Sequence, residues 1–234
     1  MAASVLGLDL NEVKGVVVHN LAVVPDFLLS PRAKFEERFE RENPFADAVP
    51  FAAVMFVLAA AAGAALGLAS SIDGSSIAYI SVGIVTSWLI YGIFLHGFAF
   101  LLGARRGVRN TLAAYLYVIG MLQPVLVVLL WAITWIAPGA VSFREITSFG
   151  GSGAAAIVAS GNYLSFGWSA MYRCVAGVLI LGYFAIALVP AQRITLLRSS
   201  LASLGSFIFF LAVYLTLFAI GYLAGSESLL RLSI

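Results

Sequence analysis

Few side chains in this chain could do chemistry in an apolar environment. His96, Gln123 and Pro124 stand within long apolar stretches, where ionisable and amide groups are candidates for function. His96 could be proton-sensitive, a metal ligand, a lipid-headgroup contact, or a neutral hydrogen-bonding group between helices. The other histidine, His19, is distant in sequence, which gives little support to a histidine-based metal site.

Catalytic motifs are missing from the sequence. It contains no GxSxG, HExxH, P-loop or glycine-rich dinucleotide fingerprint. Its single cysteine, Cys174, excludes an intrachain disulfide and a cysteine-cluster metal site. We therefore expect a protein that is not an enzyme and that has no catalytic residue, cofactor or metal.

Two short motifs are candidates for contacts rather than for catalysis. Gly63 and Gly67 form a GxxxG pair, a spacing that lets two helices approach closely, either within the chain or between copies. Arg105, Arg106 and Arg109 form a basic turn. This turn could hold anionic lipid headgroups, or it could serve only to orient the chain in the membrane.

These residues lie on or between five long apolar stretches, which run over 49–69, 77–102, 112–137, 172–190 and 204–225. A helix needs about 20 apolar residues to cross a bilayer. The pattern predicts an all-α polytopic membrane protein with a bundle of five transmembrane helices. Pro124 is expected to kink the third helix, with Gln123 beside it to satisfy a freed carbonyl.

The composition agrees with a membrane protein. Hydrophobic residues make up 62% of the chain and charged residues 10%, whereas soluble domains average about 25% charged residues. The mean hydropathy is +1.03. A net charge of +2 with scattered basic residues gives no indication of nucleic-acid binding.

The predicted organisation is an amphipathic lead-in over 1–48, the five-helix domain over 49–225 and a tail over 226–234. Within the lead-in, we expect a helix over 9–24 that Pro25 ends.

A second helix over Pro31–Glu42 should begin with Ser30 as N-cap, place Phe35 and Phe39 on one face, and lie at the membrane surface or dock on the bundle. Its predicted ion pairs are Arg32–Glu36, Glu37–Arg41 and Arg38–Glu42.

Helix ends and loops are also expected from proline and glycine positions. Pro50 should open the first span and Pro190 should end the fourth. The connection over 138–170 is long and rich in glycine, serine and aromatic residues, and its structure and role stay open. The segment Ala191–Ser203 is predicted to be a short amphipathic loop.

The distribution of basic residues predicts the orientation. If all five stretches cross, ten lysines and arginines lie on the side of the N-terminus and three on the other. Basic residues are enriched on the cytoplasmic side. We expect an integral protein of a bacterial inner membrane, with a cytoplasmic N-terminus and an external C-terminus.

Several short segments resemble the Yip-domain (Ypt-interacting protein) family. They are Leu29–Phe35, the Asn43-Pro44-Phe45 triplet, and the run from His96 through Leu102-Gly103, Thr111-Leu112 and Tyr115 to Pro124. The resemblance covers roughly residues 25–225. It implies a bundle of five transmembrane helices with a cytoplasmic N-terminus, and eukaryotic members are similar to trafficking adaptors that bind small GTPases.

Two functions follow from these patterns. The first is a non-enzymatic membrane scaffold or accessory subunit, whose partners are lipids and other membrane subunits or further copies of itself. The second is a component of a transporter or channel that moves a small solute or lipid past the kinked third helix. The absence of charge at the middle of the spans favours the first.

Overall fold

A computed structural model describes residues 10–65, 90–136 and 163–223. Every regular element in these ranges is a helix. The helices are α1 (Leu10–Leu29), α2 (Pro31–Phe39), α3 (Pro44–Ala65), α4 (Ile90–Leu101), α5 (Val108–Ile136), α6 (Tyr163–Gln192) and α7 (Leu196–Leu223). Gly67, the tail over 226–234 and most of the 138–170 connection lie outside the described residues.

Four helices in the described ranges are long and apolar enough to cross a membrane. Their apolar windows are Pro44–Gly63, Val108–Ile133, Cys174–Gln192 and Leu196–Val213. The all-helical architecture with several long apolar helices expected from the sequence is therefore observed. Five spans stay a prediction, because only Ile90–Leu101 of the second predicted span is described.

Helix α5 is the centre of the fold. It packs along α3 on one side and α6 on another, and α6 in turn packs on α7. Its first half is buried nearly all round, as Ala113, Ala114, Tyr117 and Val118 show. Helix α4 reaches the same core through Tyr91, whose ring lies 5.9 Å from that of Tyr115.

The start of α3 differs from the expectation that Pro50 opens the first span. The helix begins at Pro44, and Pro50 lies inside it. Asn43 provides the cap, because its Oδ1 accepts a hydrogen bond from the Ala46 amide at 3.2 Å. An asparagine cap followed by proline at the first helical position is a stronger start than a proline alone.

The expectation that Pro25 ends the first helix is also wrong. Helix α1 continues through Pro25 to Leu29, although proline removes one hydrogen bond from the helical ladder. Tertiary packing offsets that loss. Phe27, in the last turn, is fully buried, with its ring 4.9 Å from Phe35 and 5.7 Å from Phe51.

Helix α2 docks on the bundle through its aromatic face. Phe35 and Phe39 are both buried, and the helix packs against α6. It begins at Pro31 after Ser30, as predicted, but the Ser30 side chain makes no capping hydrogen bond, and the helix ends at Phe39 rather than Glu42.

Two of the three predicted ion pairs of α2 form. They are Arg32–Glu36 at 2.9 Å and Glu37–Arg41 at 3.2 Å. Arg38 does not pair with Glu42. It is buried instead, with Cζ 5.9 Å from the centre of the Tyr117 ring, a position that favours cation–π attraction.

The connection between α6 and α7 is much shorter than the predicted loop. Helix α6 continues past Pro190 to Gln192, and α7 begins at Leu196. Thr195 caps α7, because its Oγ1 accepts a hydrogen bond from the Arg198 amide at 3.4 Å. Most of the predicted Ala191–Ser203 loop is therefore helical, because capping starts α7 where hydropathy indicated only a polar break.

Helices α3 and α5 approach each other closely at Gly120. A Cβ placed on Gly120 would lie 3.0 Å from the Ala52 Cα and 3.3 Å from Phe51 Cε1. A side chain at this position would require the backbone of α3 to move, because the nearest atom is a backbone Cα. The small residue at this position lets the two helices pack closely.

We expect Gly120→Val to destabilise the protein by about 1–3 kcal/mol through overpacking. Gly177→Val is the matched control, because a Cβ there meets no described heavy atom within 4 Å. Unfolding in detergent micelles would be followed by circular dichroism. Equal losses of stability in the two variants would contradict the assigned contact.

Candidate functional site

The described polar side chains are most densely connected around Gln192, the last residue of α6. Its side chain is fully buried. Nε2 donates to Thr111 Oγ1 at 2.7 Å and to the Gly107 carbonyl at 3.2 Å, and Oε1 accepts from the Arg106 amide at 3.1 Å. Both N–H donors and the oxygen of the Gln192 side-chain amide are thus used to join α6 to the α4–α5 turn and to the first turn of α5.

The α4–α5 turn in return satisfies the open end of α6. Arg106 donates through Nη1 to the Pro190 carbonyl at 3.3 Å and to the Phe39 carbonyl at 3.2 Å. The Arg105 amide donates to the Gln192 carbonyl at 3.4 Å. The last carbonyls of a helix have no partner within it. Arg106 and Arg105 therefore supply the donors that the ends of α6 and α2 lack.

Local structure explains how the turn reaches this position. Helix α4 ends at Leu101, and Gly103, two residues later, has φ of +93°. The Ala104 amide donates back to the Ala99 carbonyl at 2.9 Å. This is a glycine-terminated Schellman arrangement. It reverses the chain at once, so that Arg106 and Gly107 face the end of α6.

His96 belongs to the same network. Its Nδ1 lies 2.9 Å from Thr111 Oγ1, the oxygen that also accepts from Gln192. Thr111 is fully buried and His96 is half-buried. A hydroxyl that accepts one hydrogen bond can still donate one, so Thr111 can donate to a neutral His96. We call Gln192, Thr111, His96, Arg106 and Gly107 the Gln192 hub.

The structure does not bring Gln123 and Pro124 to this hub. They stand on α5, and Gln123 lies twelve residues beyond Thr111, which corresponds to about 18 Å along a helix. Both are half-buried, and α5 continues through Pro124 as one helix. The intramembrane polar residues suggested by the sequence therefore occupy two separate levels of the bundle.

The remaining predicted contacts have different outcomes. A Cβ on Gly63 meets no described heavy atom within 4 Å, and Gly67 lies outside the described residues, so their packing role stays a prediction. Arg105 and Arg109 are exposed, whereas Arg106 is half-buried in the hub. Of the three arginines, only Arg106 has a side chain that the described fold holds by hydrogen bonds.

Sequence reasoning missed Gln192 and a row of buried serines on α7. Ser199 donates to the Ala185 carbonyl, Ser203 to the Leu181 carbonyl at 3.2 Å, and Ser206 to the Tyr91 hydroxyl at 3.2 Å. The spacing of the serines by four and then three residues is a helical periodicity and could have indicated this face. The row holds α7 against α6 and α4.

Two cavities flank the end of the bundle where α2, the α4–α5 turn and the α6–α7 turn meet. We call this the hub end. One cavity, of about 410 Å³, is lined by charged residues that include Arg106, Arg193 and Glu40. The other, of about 380 Å³, is lined mainly by apolar residues of α6 and the α6–α7 turn. Basic residues of α2, the α4–α5 turn and the α6–α7 turn, which are predicted to lie on one side of a membrane, line these two cavities. Their side of the membrane stays a prediction.

Comparison with protein-family models, with curated proteins and with solved structures finds no match for this chain. Membership of the Yip-domain family therefore stays a prediction from the quoted residues.

We expect Gln192→Leu to cost about 3 kcal/mol of unfolding free energy, because the change leaves buried partners such as Thr111 and the Arg106 amide unsatisfied. Gln123→Leu is the matched control, since Gln123 is half-buried and outside the hub. Unfolding of both variants in detergent micelles provides the comparison. A Gln192 variant as stable as the Gln123 variant would contradict the structural role of the hub.

Proposed function

We propose that this chain is a non-enzymatic integral membrane scaffold or accessory subunit that packs against partner membrane proteins or against itself. The observation that carries the proposal is the Gln192 hub. Every donor and the oxygen of its central amide form fixed links between helix ends. Such a network specifies one arrangement of helices when it is fully satisfied.

The outer surfaces of the spans support the same function. In Leu196–Val213 of α7, 22% of the residues are buried within the fold, against 44% in Val108–Ile133 of α5. Large apolar side chains on α7, among them Ile208, Phe209 and Leu215, are exposed. Helices in a membrane associate through such packing surfaces, so α7 offers a face to lipid or to another subunit.

A second candidate function, a transporter or channel component, draws on Pro124. This proline removes a hydrogen bond from the central helix, and the half-buried Gln123 stands beside it. A moving helix could hinge there. The polar residues at this level and those of the Gln192 hub are separated along α5, so they do not form one continuous polar path. The scaffold therefore has the stronger support.

The scaffold proposal predicts a stable assembly. The protein would be extracted from its own membrane in a mild detergent and measured by native mass spectrometry. We expect a reproducible mass that contains a second polypeptide or a fixed number of copies. A lone monomer across mild detergents would contradict the proposal.

The transport alternative predicts a water path along α4 and α5. Single cysteines would replace His96 and Gln123 in a Cys174→Ala background, because Cys174 is exposed and would otherwise react. Labelling of both positions by a membrane-impermeant thiol reagent is the outcome expected for a transporter. Two unlabelled positions, with an exposed cysteine at Val57 labelled by a permeant reagent as the control, would exclude it.

A further inference from the structure

The charged cavity at the hub end contains ionic groups of both signs. Arg41, Arg106 and Arg193 line it together with Glu40 and Glu42. Arg41 is already engaged, because it bonds to Glu37 at 3.2 Å and to Asp47 at 3.1 Å. The other charged residues of this cavity are two arginines, Arg106 and Arg193, and two glutamates, Glu40 and Glu42.

These four residues are not paired with one another. Among the ion pairs of the described residues, none includes Arg106, Arg193, Glu40 or Glu42. Opposite charges that line one cavity without pairing leave two separate places, one for an anionic group and one for a cationic group. A ligand that carries both charges would satisfy both places at once.

The two arginines repel each other in the absence of an anion. Burial lowers the pKa of the Arg106 guanidinium, and the positive charge of Arg193 lowers it further. Only Nη1 of Arg106 is used by the Pro190 and Phe39 carbonyls, and a guanidinium has five N–H donors. Arg106 can thus hold the hub and still donate to a phosphate.

The cavity lies at the level where lipid headgroups are expected. Arg106 lies two residues before the apolar window Val108–Ile133, and Arg193 immediately follows Cys174–Gln192. Basic residues directly next to a membrane span contact lipid phosphates. A lipid is therefore a closer source of phosphate for this cavity than the solvent.

Arg193 also lines the second cavity, whose lining is mainly apolar and includes Ile186, Val189 and Leu196, with Arg32 of α2 as its other charged residue. This cavity extends along α6 from Arg193 to Ile186, a distance of about 10 Å for seven helical residues. The direction is from the hub end toward the middle of the span. An acyl chain attached to a phosphate at Arg193 can occupy it.

We propose that the hub end binds one zwitterionic phospholipid with a primary ammonium group. Its phosphate lies between Arg106 and Arg193, its ammonium lies by Glu40 and Glu42, and part of an acyl chain occupies the apolar cavity. Arg193 is the residue that belongs to both cavities.

The test is lipid retention by the full chain in native mass spectrometry. Delipidated protein would be given phosphatidylethanolamine, phosphatidylglycerol or phosphatidylcholine with identical acyl chains. We expect one phosphatidylethanolamine to be retained at least about tenfold more tightly than either other lipid, because only it combines phosphate with a hydrogen-bonding ammonium. Stronger retention of phosphatidylglycerol, or no preference, would overturn the proposal.

Arg193→Gly separates binding from folding. Arg193 has φ of +53°, a conformation that glycine adopts without strain, so the variant should be at least as stable as the original chain. Because Arg193 is assigned to the phosphate, we expect the variant to retain phosphatidylethanolamine at least about tenfold more weakly, and Arg193→Asn, which also tolerates this conformation, to do the same. Unchanged retention of phosphatidylethanolamine in both variants would overturn the assignment.

Two further comparisons identify the groups of the lipid. Glu40→Gln combined with Glu42→Gln should abolish the preference over phosphatidylglycerol, whereas Arg198→Gln, which removes an exposed charge that lines neither cavity, should leave it unchanged. Millimolar inorganic phosphate should not displace the lipid. Displacement would show a site for soluble phosphate and overturn the lipid assignment.

The native mass spectrum reports the bound lipid and the number of subunits separately. The lipid proposal can therefore fail while the scaffold proposal stands.

Discussion

The fold depends on satisfying one buried amide. Gln192 is enclosed where helix ends meet, so its polar atoms cannot turn to water, and a buried donor or acceptor left without a partner costs about 1–3 kcal/mol. The α4–α5 turn provides hydrogen-bond partners for this amide. In return, Arg106 and Arg105 of the turn donate to backbone carbonyls at the ends of α2 and α6. Each segment therefore completes the hydrogen bonding of another, and none can shift without leaving a polar group unpaired.

Two kinds of packing extend from this hub. On the side of α1 to α3, aromatic rings surround Tyr117, with Phe51 at 5.5 Å and Phe39 at 6.0 Å. On the side of α6 and α7, rings also pack, with Phe184 5.3 Å from Tyr115, and serine hydroxyls on backbone carbonyls are added to these contacts. Apolar groups gain little from leaving lipid for protein, so helices within a membrane associate through close packing and hydrogen bonds. The serine hydroxyls supply the second of these contributions between α6 and α7.

Hydropathy was sufficient to predict α3, α5, α6 and α7, because the cost of unsatisfied backbone groups in hydrocarbon leaves a long apolar stretch few alternatives to a helix. It could not place their ends, which lie beyond the hydrocarbon core and depend on caps such as Asn43 and Thr195. His96 was recognised as a polar residue in an apolar stretch. Its partners were not, because Gln192 is 96 residues away in sequence and no local pattern indicates that it faces Thr111.

The geometry of Arg193 follows from the same constraint. A residue other than glycine with φ of +53° costs roughly 1–2 kcal/mol, and such strain persists only where the surroundings fix the chain on both sides. Before Arg193, the side chain of Gln192 is held by the hub, and after it Ile194 is buried. The tight turn between α6 and α7 is therefore imposed by its neighbours. A glycine would relieve the strain, but it would remove the only charged side chain of this turn that lines both cavities.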